Sequence, residues 1–130
     1  MVKTQTITQT VLIKAPPHDV FELIMDEEKH GKLTHSKAVV SRKIGGEFSI
    51  YDGELTGKNL ELELDKKIVQ FWRASDWPKG HFSTIAFNLE KVKNGTRINF
   101  VQDGVPDEFV KEISDGWKTY YWDPMKKMLE

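Results

Sequence analysis

Apolar residues recur at every second position near the start of the chain, over about residues 4–14. Ile7, Val11 and Ile13 share one phase with Gln9, and Thr8, Thr10 and Leu12 occupy the other. A period of two sends successive side chains to opposite faces, so this stretch reads as a strand. Pro16 and Pro17 stop it. Proline suits the first turn of a helix, where its missing N–H would have no partner. Val20, Phe21, Leu23 and Ile24 then predict a short amphipathic helix, and residues 27–33 a second one weakened by Gly31. The middle of the chain is β in pattern. VVSRKI, EFSIY, LELEL and IVQFWRA lie between turn signals at Gly45-Gly46, Asp52-Gly53, residues 56–59 and Asp65-Lys66. Leu60, Leu62 and Leu64 alternate with Glu61 and Glu63, which makes one face wet and the sheet antiparallel. Asn94-Gly95 is the strongest hairpin signal, because both residues tolerate the positive φ of a type I′ turn.

The period changes once more at the end. Phe109, Ile113, Trp117, the Tyr120-Tyr121 pair, Met125 and Met128 recur every three or four residues, predicting a long amphipathic helix over about residues 106–129. Asp107 and Glu108 in its first turn and Lys126 and Lys127 in its last suit the helix dipole. Pro124 should kink it near Trp122 or divide it, since an interior proline costs ~3 kcal/mol. Gly116 is expected to let the helix approach the sheet closely. The order is thus a strand, two short helices, about six strands and a long helix. A strongly bent antiparallel sheet gripping the last helix is the economical α+β arrangement for burying those faces.

Composition narrows the function. The 130 residues fit one domain, over 1–130, with 38% hydrophobic and 30% charged residues, as in soluble globular proteins. A net charge of −1 lacks the basic footprint of a nucleic-acid binder. With no cysteine, disulfides and thiolate metal sites are impossible. His18, His30, His35 and His81 are not spaced to present two ligands from one helix, so no metal and no cofactor is expected. No apolar run approaches the ~20 residues of a membrane span, and no secretory h-region is visible. A cytoplasmic protein is the reading that follows.

Candidate chemistry concentrates in WRASDWPKGHFSTIAF, residues 72–87. Two strand-like runs meet there at Pro78-Lys79-Gly80, among Trp72, Arg73, Asp76, Trp77, His81 and Phe82. For Arg73 and Asp76 a solvated turn is the favoured reading, because an exposed pair contributes only ~0–1 kcal/mol; the functional reading pairs them across the strand end as a charged rim. His81 has no nucleophile signature to serve as a base, so it is expected to hydrogen-bond the hairpin end. Tyr121 and Trp122 are adjacent on a helix and should not both face the core, so the 120–122 group is expected to leave one aromatic exposed. Glu61 and Glu63 look like a solvated edge rather than an acid–base pair. No nucleophile elbow, phosphate loop or dinucleotide fingerprint is present, and no catalytic residue is assigned.

The segments GGEFSIYDG, FWRASDWPKGHFSTIAF, DGVP and GWKTYYW, in that order, resemble the family of activators of the heat-shock ATPase. The similarity is to the C-terminal domain of the co-chaperone that activates the ninety-kilodalton heat-shock chaperone. It implies the helix-grip, START-like fold: a curved antiparallel sheet of six to seven strands around the last helix. It also implies that chaperone as partner. The co-chaperone's separate N-terminal domain lies outside the similarity.

Three readings follow. A non-enzymatic co-chaperone-type module would have a filled interior and an exposed patch built from Arg73, Asp76, Trp77, Lys79, His81, Phe82 and Trp122. A carrier of a small apolar ligand would have a cavity lined by Trp72, Phe87, Phe100, Trp117 and Tyr121. An enzyme of the cyclase or hydrolase kind would hold a buried acid or base in that cavity. The first is preferred, the second is the alternative, and the third has no residue to support it.

Overall fold

The structure is a computed structural model and describes residues 2–130. Strand β1 (Thr4–Ile13) is followed by helices α1 (Pro17–Met25) and α2 (Glu27–Thr34). Six strands come next: β2 (Ala38–Val40), β3 (Glu47–Ile50), β4 (Leu55–Glu63), β5 (Lys67–Ala74), β6 (Ser83–Val92) and β7 (Gly95–Pro106). Each is antiparallel to its neighbours, in the spatial order β1-β7-β6-β5-β4-β3-β2. The two edges are therefore β1 and β2, and α1 and α2 carry the chain from one edge to the other. The last helix lies across the inner face. This is the α+β helix-grip fold expected from the pattern.

The inner face is set by strand alternation. Ile7, Val11 and Ile13 of β1 are buried, whereas Leu12 is exposed as its phase requires. Phe87 faces Phe100 across β6 and β7, and Ile68 faces Phe87 across β5 and β6. Pro17 opens α1, and the Asp26 carboxylate caps α2 by accepting from the Lys29 N–H.

Two turn expectations and two strand expectations need correction. Residues 56–59 are not a turn but the middle of β4. Gly57 is there because of close approach: a Cβ would fall 1.8 Å from the Phe71 carbonyl oxygen and 2.6 Å from the Phe48 ring. The Gly57→Ala variant should lose ~3 kcal/mol, the upper part of the range for overpacking, because the obstructing atom is paired backbone. Urea unfolding measures this, and a loss under ~1 kcal/mol would mean that β4 can shift. Next, a register shift between Asn59 and Glu61 breaks the Leu60, Leu62, Leu64 alternation. Leu60 and Leu64 are exposed, and only Leu62 packs against the core. Finally, the β6–β7 turn is Lys93-Asn94, one residue early, with Gly95 already paired to Val92. Asn94 takes the left-handed φ of 69°, and Gly95 is needed because a Cβ there would lie 2.1 Å from the Ile13 carbonyl oxygen. Strand β2 also ends at Val40, so residues 41–44 do not extend it.

The last helix is continuous but not uniform. A 3-10 turn (Asp107–Phe109) leads into α3 (Val110–Trp117), a π-helical turn (Lys118–Trp122) and α4 (Asp123–Leu129). Pro124 stands in the first turn of α4, directly after the π turn. The expected division of the helix is thus a π turn. It also overturns the expectation that Tyr121 and Trp122 cannot both face inward. Five residues of α-helix rotate a side chain ~140° out of phase, but the wider π turn brings Trp117 and Trp122 back onto one face. Their rings stack at 5.5 Å with 22° between planes. Trp122 is only 4% exposed, and the exposed aromatic of the group is Tyr120, at 57%.

Candidate functional site

The base of the site is a polar-anchored aromatic floor. The Trp117 indole N–H donates to Gln102 Oε1 at 2.7 Å, and the Trp122 indole donates to Gln9 Oε1 at 2.7 Å. Gln102 passes the bond on to Ser83 Oγ (3.0 Å), which donates to the Trp72 carbonyl (2.8 Å). The buried Gln102 amide of β7 and the half-buried Gln9 amide of β1 thereby fix the helix's rotation on the sheet. A second buried link joins α2 to the π turn. His30 Nδ1–H donates to the Ile24 carbonyl, so the neutral Nε2 accepts the Tyr121 hydroxyl proton, each at 2.8 Å.

Burial holds the His30 ring below its ordinary value of 6.5, partly offset by its bond to Ile24. Burial likewise raises the Tyr121 phenol, so that hydroxyl stays protonated. Protonating His30 would remove the acceptor for Tyr121. A group depressed in the fold contributes stability that is full above 6.5 and is lost as pH falls below it. The exposed His18, raised by its hydrogen bond to Asp65, acts in the opposite sense. Melting temperatures followed from pH ~7.5 to ~5 should therefore fall less steeply in His30→Gln than in the parent. Parallel curves would show that His30 is not the group responsible.

Above this floor a pocket of about 490 Å3 opens between the Tyr51–Leu55 and Trp72–Asp76 ends of the strands and the last helix. Of the five residues expected to line a cavity, Trp72, Trp117 and Tyr121 do so. Phe87 and Phe100 do not: they are packed beneath Trp117 and Trp122, Phe100 at 4.5 Å from Trp117. The deep gap bordered by Phe87 is only about 10 Å3, so the inner half of the grip is filled. Gly116 lines the pocket, and the nearest atom to an added Cβ would be Tyr120 Cδ2 at an ordinary 3.7 Å. The expected close approach of helix to sheet is therefore not its role. Tyr120, the exposed member of the 120–122 group, also lines the mouth, as do Tyr51, Glu54 and Glu112, which were not singled out from the sequence. Only the Asp52-Gly53 turn signal hinted at this region, where Tyr51 and Asp52 both take a left-handed φ.

The loop after β5 behaves differently from expectation. No ion pair joins Arg73 and Asp76 among the described residues. Arg73 donates instead to the carbonyls of His81 (3.2 Å) and Trp77 (2.9 Å), with its guanidinium over the Phe82 ring at 5.9 Å. His81 Nε2–H donates to the Gly104 carbonyl at 2.7 Å and latches the loop to β7, as the hairpin-end role required. Trp77, expected at the surface, is 4% exposed, packed edge-on against Trp72 and close to His81. Arginine tethering folds the loop over it. Asp76, Lys79 and Phe82 remain exposed. Phe82 (44% exposed) packs against Phe71 (37%) on the outer face of the sheet, beside a groove of about 550 Å3 that Val39 and Lys58 also border.

No helix is long and apolar enough to cross a membrane, and no acid–histidine cluster able to hold a metal occurs among the described residues.

Comparison with known proteins agrees with this geometry. The chain is 29% identical over 122 residues to the activator of 90 kDa heat shock protein ATPase homolog 1 of Homo sapiens, covering 94% of the chain and 36% of that protein. It is 32% identical over 125 residues to the activator of 90 kDa heat shock protein ATPase homolog of Dictyostelium discoideum, covering 95% of the chain and 32% of that protein. The chain thus spans about a third of these relatives. Among solved structures, an HSP90 activator from Plasmodium falciparum superposes with a TM-score of 0.89 at 23% identity, covering 95% of this chain and 94% of that one. The model of one family, described as activator of Hsp90 ATPase homolog 1-like protein, matches residues 14–130, and the chain belongs to that family.

Proposed function

We propose that this protein is a non-enzymatic, co-chaperone-type module that binds the ninety-kilodalton heat-shock chaperone and modulates its ATPase. The observation that carries the reading is the match, along nearly the whole chain, to proteins named as activators of that ATPase. The surface supports it. Phe71 and Phe82 form an exposed aromatic pair with the Arg73 guanidinium over one ring, and Lys79 of the preceding loop is exposed. Exposed aromatics next to arginine are the residue types that anchor protein interfaces. Trp77 and Trp122 are buried and do not touch the partner in this reading. The buried His30 has both ring nitrogens engaged, by the Ile24 carbonyl and the Tyr121 hydroxyl, which fits a structural role for it in this reading.

Calorimetry of the full chain with the chaperone, with and without nucleotide, tests it, alongside the ATP hydrolysis rate. Binding is expected, and Phe82→Ala should weaken it about tenfold or more while leaving the melting temperature near that of the parent. Faster hydrolysis on binding would assign activation to this domain; binding without acceleration would make it a docking module. No binding at micromolar concentrations would sink the reading.

A further inference from the structure

We propose that the pocket between the Tyr51–Leu55 segment and the last helix binds an organic cation, an ammonium carried on an apolar body. Its walls are aromatic. Trp72 and Trp117 lie 5.8 Å apart at the base, Tyr121 packs 4.7 Å from Trp117, and Tyr51 meets Tyr120 edge-on at 6.5 Å across the mouth. Ring faces attract a cation held within ~6 Å of their centres, tryptophan and tyrosine most strongly. Its ionisable lining groups, apart from the tyrosines, are all carboxylates. Glu54, Asp76 and Glu112 stand on the lining, and no lysine, arginine or histidine does.

Those carboxylates also lack cationic partners among the described residues. The helix lysines nearest in sequence are engaged elsewhere: Lys111 pairs with Asp115 at 3.0 Å and Lys118 with Asp123 at 2.8 Å. Arg73 is committed to loop carbonyls. A half-open pocket with the Tyr51 and Tyr120 rings at its mouth, the buried Trp72, Trp117 and Tyr121 at its base and unpaired negative charge at its rim disfavours an anionic head group and favours a positive one. The volume, about 490 Å3, suits a small ligand with a ring or a short alkyl chain. Tyr51 strengthens the case. It is a bulky aromatic held at φ 54°, where such residues are unusual, and that backbone turn carries its ring to the mouth opposite Tyr120. The site is separate from the Phe71–Phe82 surface, so its failure would leave the chaperone reading intact.

The test titrates the isotope-labelled full chain with phenylbutylammonium, phenylbutanol and phenylbutanoate, three probes with one body and different heads. Phenylbutylammonium should shift the NMR signals of Tyr51, Ile113 and Tyr120, and should bind at least ~5-fold more tightly than the alcohol. The carboxylate probe should be weakest. The Glu54→Gln, Glu112→Gln double variant changes only exposed side chains and should fold normally, yet lose most of the preference for the cation. Gly116→Leu, which fills the pocket from the helix, should abolish all three signals; its own melt checks that it folds. A short peptide carrying one lysine among leucines separates the sources. Equal binding by that peptide assigns the ammonium to a partner's side chain, and binding by the free amine alone assigns it to a small molecule. Equal affinity for all three heads, or cation preference that survives the double variant, would overturn the proposal.

Discussion

Trp117→Ala should lower the stability of this protein by ~3–5 kcal/mol, the cost of truncating a large buried aromatic. Trp117 is 3% exposed, and its ring is the hub of the floor, within 6 Å of Phe100, Tyr121, Trp122, Phe87 and Trp72. Truncation opens a cavity where helix and sheet meet. It also strands Gln102 Oε1, which accepts the indole N–H, and an orphaned buried acceptor, worth ~1–3 kcal/mol by itself, places the loss toward the upper end of the ~3–5 kcal/mol range. Domains of this size have ~5–15 kcal/mol in all, so the variant should sit close to unfolding at ordinary temperature. Urea unfolding followed by far-UV circular dichroism measures it. A loss below ~1 kcal/mol would mean that the helix does not plug the sheet. Trp117→Phe separates the two contributions, because it keeps much of the ring volume and removes only the donor to Gln102.

The second large effect concerns Trp77. As a surface anchor, its replacement by alanine should have weakened partner binding and spared the fold. Its burial against Trp72, Phe109 and His81 reverses that expectation. Trp77→Ala should now cost ~3–5 kcal/mol and loosen the loop that Arg73 and His81 tie down. One detail permits a sharper check. The Trp77 indole N–H is buried with no acceptor among the described residues. Trp77→Phe removes that unpaired donor along with some ring area, and the two changes oppose each other. It should stay within ~1 kcal/mol of the parent. If the phenylalanine variant loses as much as the alanine variant, the indole has an acceptor in solution and the packing argument here is incomplete. Either way, reduced chaperone binding by Trp77→Ala would report folding. Phe82→Ala is the probe that isolates the surface, because its ring is substantially exposed.

The candidate site was only partly legible in advance. Trp72, Trp117 and Tyr121 were identifiable as pocket residues because helical and strand periods put them on the faces that must meet. Phe87 and Phe100 carried the same signal, yet they lie one layer deeper, and depth within a core has no periodicity. Of the acidic mouth only Asp76 was singled out, and as part of a different patch. Glu54, Asp76 and Glu112 are far apart along the chain, and each alone is an ordinary exposed carboxylate. Arg73 and Asp76 looked like partners from their spacing, but backbone carbonyls of the folded loop bind the guanidinium instead.

What the sequence determined by itself was the list of elements and their order. Hydrophobic periods of two and of three to four, the Pro16-Pro17 stop and the turn residues are local signals, and local conformation answers to them. The family motifs along residues 45–122 likewise pointed to the fold. The tertiary structure decided what depends on contacts between distant residues. Gly57 looked like a turn residue, and only the neighbouring Phe71 carbonyl and Phe48 ring reveal a strand position that must lack a side chain. Trp122 looked outward on any α-helical wheel. A π turn rotates it inward, where the helix settles onto Gln102 of β7 and Gln9 of β1. Side-chain facing follows from helical twist, and in this protein that twist is set by what the helix packs against.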